Sequence, residues 1–179
     1  MWNMVTLDGY FEGSKPWDIA WHEIGWGEEL EQLGAEQTGS AGALLFGRKT
    51  YEGMAEYWPA AKGEVADIMN SIPKIVFSRT LERAGWNNTR LVRVAAEEEV
   101  PRLKAQSGKD LMVYGSANLC ASLTRAGLID EYRLGMTPVV LGTGTPLFKQ
   151  NPAITMKLLE ARALKTGVVI LRYERAVDA

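Results

Sequence analysis

The sequence has few of the side chains that commonly build disulfides, metal sites or pH-sensitive groups. Its 179 residues include one cysteine, Cys120, and one histidine, His22. A single cysteine excludes an internal disulfide and a cysteine metal cluster. We therefore expect no metal site. Cys120, at the start of a predicted helix, should be a small buried hydrophobe.

The chain also lacks an excess of one charge and any long hydrophobic run. It has 20 basic and 22 acidic residues, a formal net charge of −2, so no basic excess points to a nucleic-acid partner. No stretch approaches the ~18 apolar residues of a membrane span. The opening residues, MWNMVTLDGYFEG, have neither the cationic region nor the apolar run of a signal peptide. We expect a cytoplasmic protein without a membrane partner.

What the sequence does contain is an alternation of apolar and amphipathic segments. Apolar segments predict strands at 43–47, 74–78, 110–115, 131–142 and 168–174, and the end of another strand at 4–7. Helical patterns lie between them at 28–36, 64–70, 96–106 and 117–126. This order predicts a single α/β domain over 1–179 with a mixed, mostly parallel sheet. The last third has no clear helix and predicts antiparallel strands.

Three of the predicted strands end in short polar turns. The turns contain Gly47, Arg48, Lys49 and Thr50; then Ser78, Arg79 and Thr80; and then Gly115, Ser116, Ala117, Asn118 and Leu119. The carboxyl ends of parallel strands share one edge of a sheet, where ligands of open α/β sheets bind. Because of this shared edge, we expect the three turns to lie together.

These turns have the chemistry of an anion site. The first and third open helices, whose free N–H groups and dipoles favour anions. Glycine at 47 and 115 allows close approach of the backbone to a ligand. Arg48, Lys49 and Arg79 supply charge for more than one phosphate. Each turn taken alone is also consistent with an ordinary solvated turn. Taken together, they indicate a molecule with several phosphates, such as a dinucleotide.

The order of motifs along nearly the whole chain resembles one known family. The motifs are VTLDGYFEG (5–13), LFGRKTYE (45–52), YWP (57–59), IPKIVFSRTL (72–81), YGSANL (114–119), LIDEYR (128–133) and PVVLGTGTPLF (138–148). They resemble the dihydrofolate reductase-like proteins grouped with the C-terminal reductase domain of bifunctional riboflavin-biosynthesis deaminase-reductases. The resemblance implies a dihydrofolate reductase-like three-layer fold, NADPH as cofactor and a homodimer.

The resemblance also implies roles for the three turns. It places Arg48, Lys49 and Thr50 at the adenosine phosphates, and Ser78 and Arg79, in the turn that ends at Thr80, on the side of the 2′-phosphate. It places the turn at 115–119 at the pyrophosphate. The nicotinamide would lie near the end of the first strand, around Thr6 to Phe11.

Two carboxylates near that strand end are candidate catalytic groups. Asp8 and Glu12 could supply or relay a proton if burial raised their pKa. Asp8 precedes Gly9, and an Asp-Gly pair equally suits a side chain that only caps a turn.

The next segment is rich in aromatic residues and predicts a substrate pocket. Trp17, Trp21 and His22 are its candidates, and Trp26 is a further aromatic that could line it. His22 is the one side chain whose unperturbed pKa lies close to neutrality. Packing in the core or in a lid is the alternative role for these residues.

True dihydrofolate reductases often carry an acid a few residues past a Pro-Trp pair, and an arginine for the folate tail. Here His22 stands five residues past Trp17, with Glu23 next, and Ile72 stands where the arginine would be. The leading hypothesis is therefore an NADPH-dependent reductase of a small pyrimidine- or pterin-like heterocycle. A genuine dihydrofolate reductase and a non-catalytic NADP(H)-binding protein are the alternatives.

The apolar strands predicted at 132–141 and 168–173 also bear on assembly. Few helices would remain to cover them, and uncovered apolar strands favour association. A symmetric homodimer through this region would bury them with one self-complementary surface.

Overall fold

The computed structural model describes residues 1–106, 108–149 and 153–176. The strands are β1 (Trp2–Thr6), β2 (Tyr10–Glu12), β3 (Ala43–Gly47), β4 (Lys74–Phe77), β5 (Thr89–Val92), β6 (Leu111–Val113), β7 (Glu131–Thr137), β8 (Thr145–Pro146), β9 (Met156–Ala163) and β10 (Val169–Arg175). The helices are α1 (His22–Gly25), α2 (Glu28–Ser40), α3 (Arg48–Tyr57), α4 (Glu64–Ser71), α5 (Ala96–Lys104) and α6 (Ala117–Arg125). No helix in these ranges is long and apolar enough to cross a membrane.

Two four-stranded sheets meet edge to edge at the centre of the fold. One has the order β5-β4-β3-β6 and is parallel throughout, and the other has the order β1-β7-β10-β9. A parallel bridge between Trp2 and Tyr114 connects them, and the Gly115 N–H donates to the Trp2 carbonyl at 3.2 Å. Strand β10 runs antiparallel to both β7 and β9. The predicted mixed α/β fold with antiparallel C-terminal strands is confirmed.

Helices cover both faces of the sheet, because side chains alternate between faces along each strand. Leu45 of β3 packs with Val100 of α5 and Leu123 of α6 in one core. Its neighbour Leu44 packs on the opposite side with Leu30 of α2 and with residues of α3 and α4. The two cores make a three-layer structure.

The strand predicted at 131–142 is too long. Strand β7 ends at Thr137, not at 142, because Pro138 has no N–H to continue the ladder. Strand β7 also lies inside its sheet, between β1 and β10. The strand with exposed faces is β9, which the sequence analysis did not single out.

Candidate functional site

The first two polar turns follow neighbouring parallel strands and begin at the same level of the sheet. Gly47, the last residue of β3, pairs in register with Phe77 of β4, and Phe77 pairs with Val92 of β5. Arg48 and Ser78 come directly after these strand ends. The carboxyl ends of β3 and β4 therefore present both turns at one edge, as the sequence predicts.

A hydrogen bond joins the first and third turns. The Gly47 N–H donates to Oγ of Ser116 at 3.0 Å. A Cβ at Gly115 would lie 3.1 Å from Cγ2 of Thr50 and 3.6 Å from Cζ of Phe11. The backbone at Gly115 is thus in close contact with helix α3 and with strand β2.

The turn at 115–119 is shaped by two consecutive left-handed residues. Gly115 has φ +63° and Ser116 has φ +64°, and helix α6 begins directly afterwards. The side chains of Ala117 and Leu119 are buried, whereas Asn118 is exposed. Ala117 and Leu119 can therefore offer a ligand only their backbone N–H groups, which have no acceptor within the first turn of a helix.

The cations of the first two turns are accessible to solvent. Arg48 forms an exposed i,i+4 ion pair with Glu52 at 3.7 Å, a contact that contributes little in water. Lys49 and Arg79 are also exposed. All three cations can rearrange around an anionic ligand at low cost.

Ser78 closes its own turn. Its Oγ accepts hydrogen bonds from the N–H of Thr80 at 3.2 Å and of Leu81 at 2.9 Å. This arrangement leaves the hydroxyl hydrogen of Ser78 available to a ligand acceptor.

The carboxylate of Asp8 holds the turn after β1. It accepts the hydroxyl of Thr6 at 2.6 Å, the N–H of Gly142 at 2.7 Å and the N–H of Leu141 at 3.1 Å. The Thr6 hydroxyl, with help from the two backbone N–H groups, holds the pKa of Asp8 below its usual value. Asp8 therefore has the geometry of a turn cap, and its lowered pKa counts against a role as proton donor.

Glu12 lies at the end of β2, beside the aromatic segment. Its Oε2 accepts the N–H of Trp17 at 3.1 Å. A side chain at Gly53 would collide with the indole of Trp17, so this indole packs against helix α3. Trp17 has φ +61° and remains 41% exposed. Glu12 and Trp17 therefore lie together between β2 and α3.

Trp21 and His22 lie deeper in the protein than Trp17. Trp21 is buried in the core, and its ring meets that of His22 edge-on with centroids 4.3 Å apart. Burial lowers the pKa of His22 to about 4. Nε1 of Trp21 and Nε2 of His22 are buried without a hydrogen-bond partner among the described residues. Trp21 and His22 are therefore held together, whereas Trp17 packs separately on α3.

Residues 1–170 match the family described as the RibD C-terminal domain. The chain belongs to this family. It is 35% identical to protein YyaP of Bacillus subtilis (strain 168), in an alignment that covers 94% of this chain and 90% of YyaP.

Two solved structures share the fold of this RibD C-terminal domain. A Shewanella sp. PV-4 protein named for riboflavin biosynthesis has a TM-score of 0.82 at 19% identity, covering 98% of this chain and 97% of its own. A pyrimidine reductase-like protein from Corynebacterium diphtheriae has a TM-score of 0.71 at 12% identity, covering 99% and 91%. At these identities the two comparisons establish the fold.

One candidate site residue, Arg93, escaped the sequence analysis. It follows β5 and donates to carbonyls of the loop after Ser78. Phe11, the last residue of the stretch predicted to lie near the nicotinamide, approaches Gly115. Strand β5 has four residues, Thr89–Val92, and only Val92 is buried. A cation directly after an apolar pair, as in Leu91-Val92-Arg93, is the signal that could have indicated Arg93.

Proposed function

We propose that this chain is an NADPH-dependent reductase of a small heterocyclic substrate, pyrimidine- or pterin-like. The observation that carries the proposal is the joined pair of helix-opening turns, connected through Gly47 and Ser116 and flanked by three exposed cations. Membership of the RibD C-terminal domain family supports a reductase role and a nicotinamide cofactor.

The residues present suit such a cofactor. The left-handed turn at Gly115 and Ser116 leads directly into helix α6, and the N-termini of α3 and α6 favour the charge of a pyrophosphate. Arg48 and Lys49 are proposed for the adenosine phosphates, and Ser78 and Arg79 for the 2′-phosphate. The reduced nicotinamide, when bound, supplies a hydride to the substrate.

The substrate side of the proposal centres on Glu12 and Trp17. The indole of Trp17 is partly exposed and packs against Gly53 of α3, which suits contact with a flat ring. Of the two carboxylates, Glu12 is the better candidate to hold or relay a proton, because the carboxylate of Asp8 already caps its turn. The pyrimidine reductase-like name of the Corynebacterium protein supports the substrate class.

Folate itself is a weaker candidate. Ile72 is 7% exposed and packs in the core beside α4, so it offers no charge to a carboxylate tail. A site that leaves a substrate charge unpaired discriminates strongly against that substrate. We therefore expect little or no dihydrofolate reductase activity.

The experiment is calorimetry with NADPH and with NADH, followed by absorbance assays of NADPH oxidation with a panel of pyrimidines, pterins and dihydrofolate. We expect NADPH to bind roughly tenfold to a hundredfold more tightly than NADH, because one charge-assisted contact raises affinity by about this factor. Equal affinities for NADPH and NADH would contradict the proposal that Ser78 and Arg79 contact the 2′-phosphate. Tight NADPH binding without turnover of any heterocycle would favour the non-catalytic alternative.

A further inference from the structure

The loop between β4 and β5 is fixed to the scaffold at both ends. At its start, the Ser78 N–H donates to the Val92 carbonyl at 3.0 Å. At its end, the Trp86 N–H donates to Oη of Tyr51 at 2.9 Å, and the Trp86 indole N–H donates to Oδ1 of Asn70 at 2.8 Å. Residues 79–85 lie between these anchors and are outside any helix or strand.

The side chain of Arg93 braces the middle of this loop. It donates to the carbonyl of Arg79 at 3.2 Å and to the carbonyl of Glu82 at 3.3 Å. Among the described residues, these are the hydrogen bonds that tie 79–85 to a side chain outside the loop. Leu81 and Ala84 add partly buried contacts with the core. The planar fork of a guanidinium suits two carbonyl acceptors at once.

We infer that Arg93 is a positioning residue for cofactor selectivity, which it confers by holding the backbone of Arg79 at the edge of the sheet. This inference rests on the proposed function, in which Arg79 meets the 2′-phosphate of NADPH. Arg93 contacts carbonyl oxygens of the loop, so it acts through Arg79 and is not itself the phosphate ligand.

The physical reason is the entropy of the loop. The other restraints on residues 79–85 are the hydrogen bonds of Thr80 and Leu81 to Oγ of Ser78 and the core contacts of Leu81 and Ala84. Without Arg93, the binding of a 2′-phosphate would therefore have to order more of the segment that carries Arg79. NADH has no 2′-phosphate and does not depend on this segment. Loss of Arg93 should therefore reduce the preference between cofactors and leave NADH binding nearly unchanged.

The test compares Arg93→Met with a matched control, Arg90→Met. Arg90 lies on β5, three residues before Arg93, and it pairs with Glu99 of α5 at 2.9 Å. Dissociation constants for NADPH and NADH are measured by calorimetry for both variants, for Arg79→Ala and for the Arg79→Ala/Arg93→Met double variant. Arg93→Met should weaken NADPH binding about three- to tenfold and change NADH binding by less than about twofold.

The other variants separate positioning from direct contact. Arg90→Met should match the wild type, and Arg93→Met should have no further effect once Arg79 is absent. Arg93→Lys should recover little of the NADPH affinity lost in Arg93→Met, because an ammonium lacks the planar fork that spans two carbonyls. Full rescue by lysine, or an equal loss in both backgrounds, would show that Arg93 meets the phosphate itself and would overturn the inference.

A second readout needs no cofactor. Hydrogen exchange at the amides of Thr80 and Leu81 should be faster in Arg93→Met than in the wild type, and unchanged in Arg90→Met. If the wild type prefers NADPH, then unchanged hydrogen exchange or an unchanged cofactor preference in Arg93→Met would overturn the inference. A wild type that binds neither cofactor would instead reject the proposed function, and the selectivity role with it.

Discussion

Asp8 and Glu12 are four residues apart in sequence but have different hydrogen-bonding roles. Asp8 accepts three hydrogen bonds that close the turn after β1, whereas Glu12 accepts the backbone N–H of Trp17. We expect Glu12→Gln to lower the turnover number with little effect on NADPH affinity. Asp8→Asn should instead lower the melting temperature, because an amide is a poorer acceptor for this turn.

Steady-state kinetics and thermal unfolding of the two variants check this division of roles. Normal turnover in Glu12→Gln would mean that the proton comes from another group or from solvent. Loss of turnover in a stably folded Asp8→Asn would restore Asp8 as the catalytic candidate.

His22 makes stability dependent on pH in the mildly acidic range. Its pKa is lowered to about 4 by burial, whereas the unfolded chain has an ordinary histidine pKa of about 6.5. Between these values the unfolded state binds a proton that the folded state does not. The free energy of unfolding should therefore fall as pH drops from about 6.5 to about 4, by up to about 3 kcal/mol from this group.

Urea unfolding at several pH values, for the wild type and for His22→Phe, isolates this contribution. Phenylalanine keeps a ring against Trp21 but does not titrate, and the chain has no other histidine. Carboxylates titrate in both proteins, so only the difference between their pH profiles reports His22. Parallel profiles would mean that His22 is solvated in solution.

At the scale of single residues, the sequence predicted which side chains carry the site's charge better than it predicted the partners of those side chains. Arg48, Lys49 and Arg79 are predicted as cations of the turns that follow strands, because their position follows from local pattern alone. The cap formed by Asp8 depends on Leu141 and Gly142, more than 130 residues away. Such a partner cannot be inferred without the fold, so the choice between cap and acid stayed open.

Helix α6 begins after a turn whose backbone depends on glycine. Gly115 has φ +63°, and a Cβ there would lie 3.1 Å from Thr50. We expect Gly115→Ala to reduce the free energy of unfolding by about 1–2 kcal/mol, the cost of a left-handed alanine. It should also weaken NADPH binding, because the new methyl group would press on Thr50 and Phe11 and shift the turn proposed to bind the pyrophosphate.

Gly34→Ala is the matched control for this change. Gly34 lies inside helix α2, and a Cβ there would meet no atom within 4 Å. Alanine in such a position should stabilise the protein by about 0.5–1 kcal/mol. Chemical unfolding and calorimetry of both variants test the pair. Unchanged NADPH affinity in a folded Gly115→Ala would remove this turn from the cofactor site.

The predictability of each element follows its length and the range of its contacts. Strands β3 and β4 are apolar runs followed by polar turns, and both were predicted to within one residue. Strands β2 and β8 have three and two residues and form only by pairing with each other across the chain. Their sequences have no pattern long enough to indicate a strand, so they could not be predicted.

Across the whole molecule, β5 and β9 are the outer strands of the joined sheets. Strand β9 is longer, and its register shifts opposite Arg172 and Tyr173, so that Leu159 has no partner in β10. A bulge of this kind discourages open-ended pairing of strands. Leu158 is 52% exposed and Leu159 is 41% exposed, which leaves apolar surface at this end of the protein.

We expect this end of the sheet to form the interface of a homodimer, the assembly that the sequence analysis predicted. Light scattering should give about twice the 19.8 kDa of one chain.

Leu158→Glu and Leu159→Glu should each be made, and the residue that faces the partner should give a folded monomer when replaced. Ile170→Glu should unfold the protein, because Ile170 is 2% exposed and faces the core. Val94→Glu, an equivalent change beyond β5 at the opposite end of the sheet, should leave the mass unchanged. A wild-type mass of one chain would exclude the dimer, and a dimer that survives both leucine replacements would place the interface elsewhere.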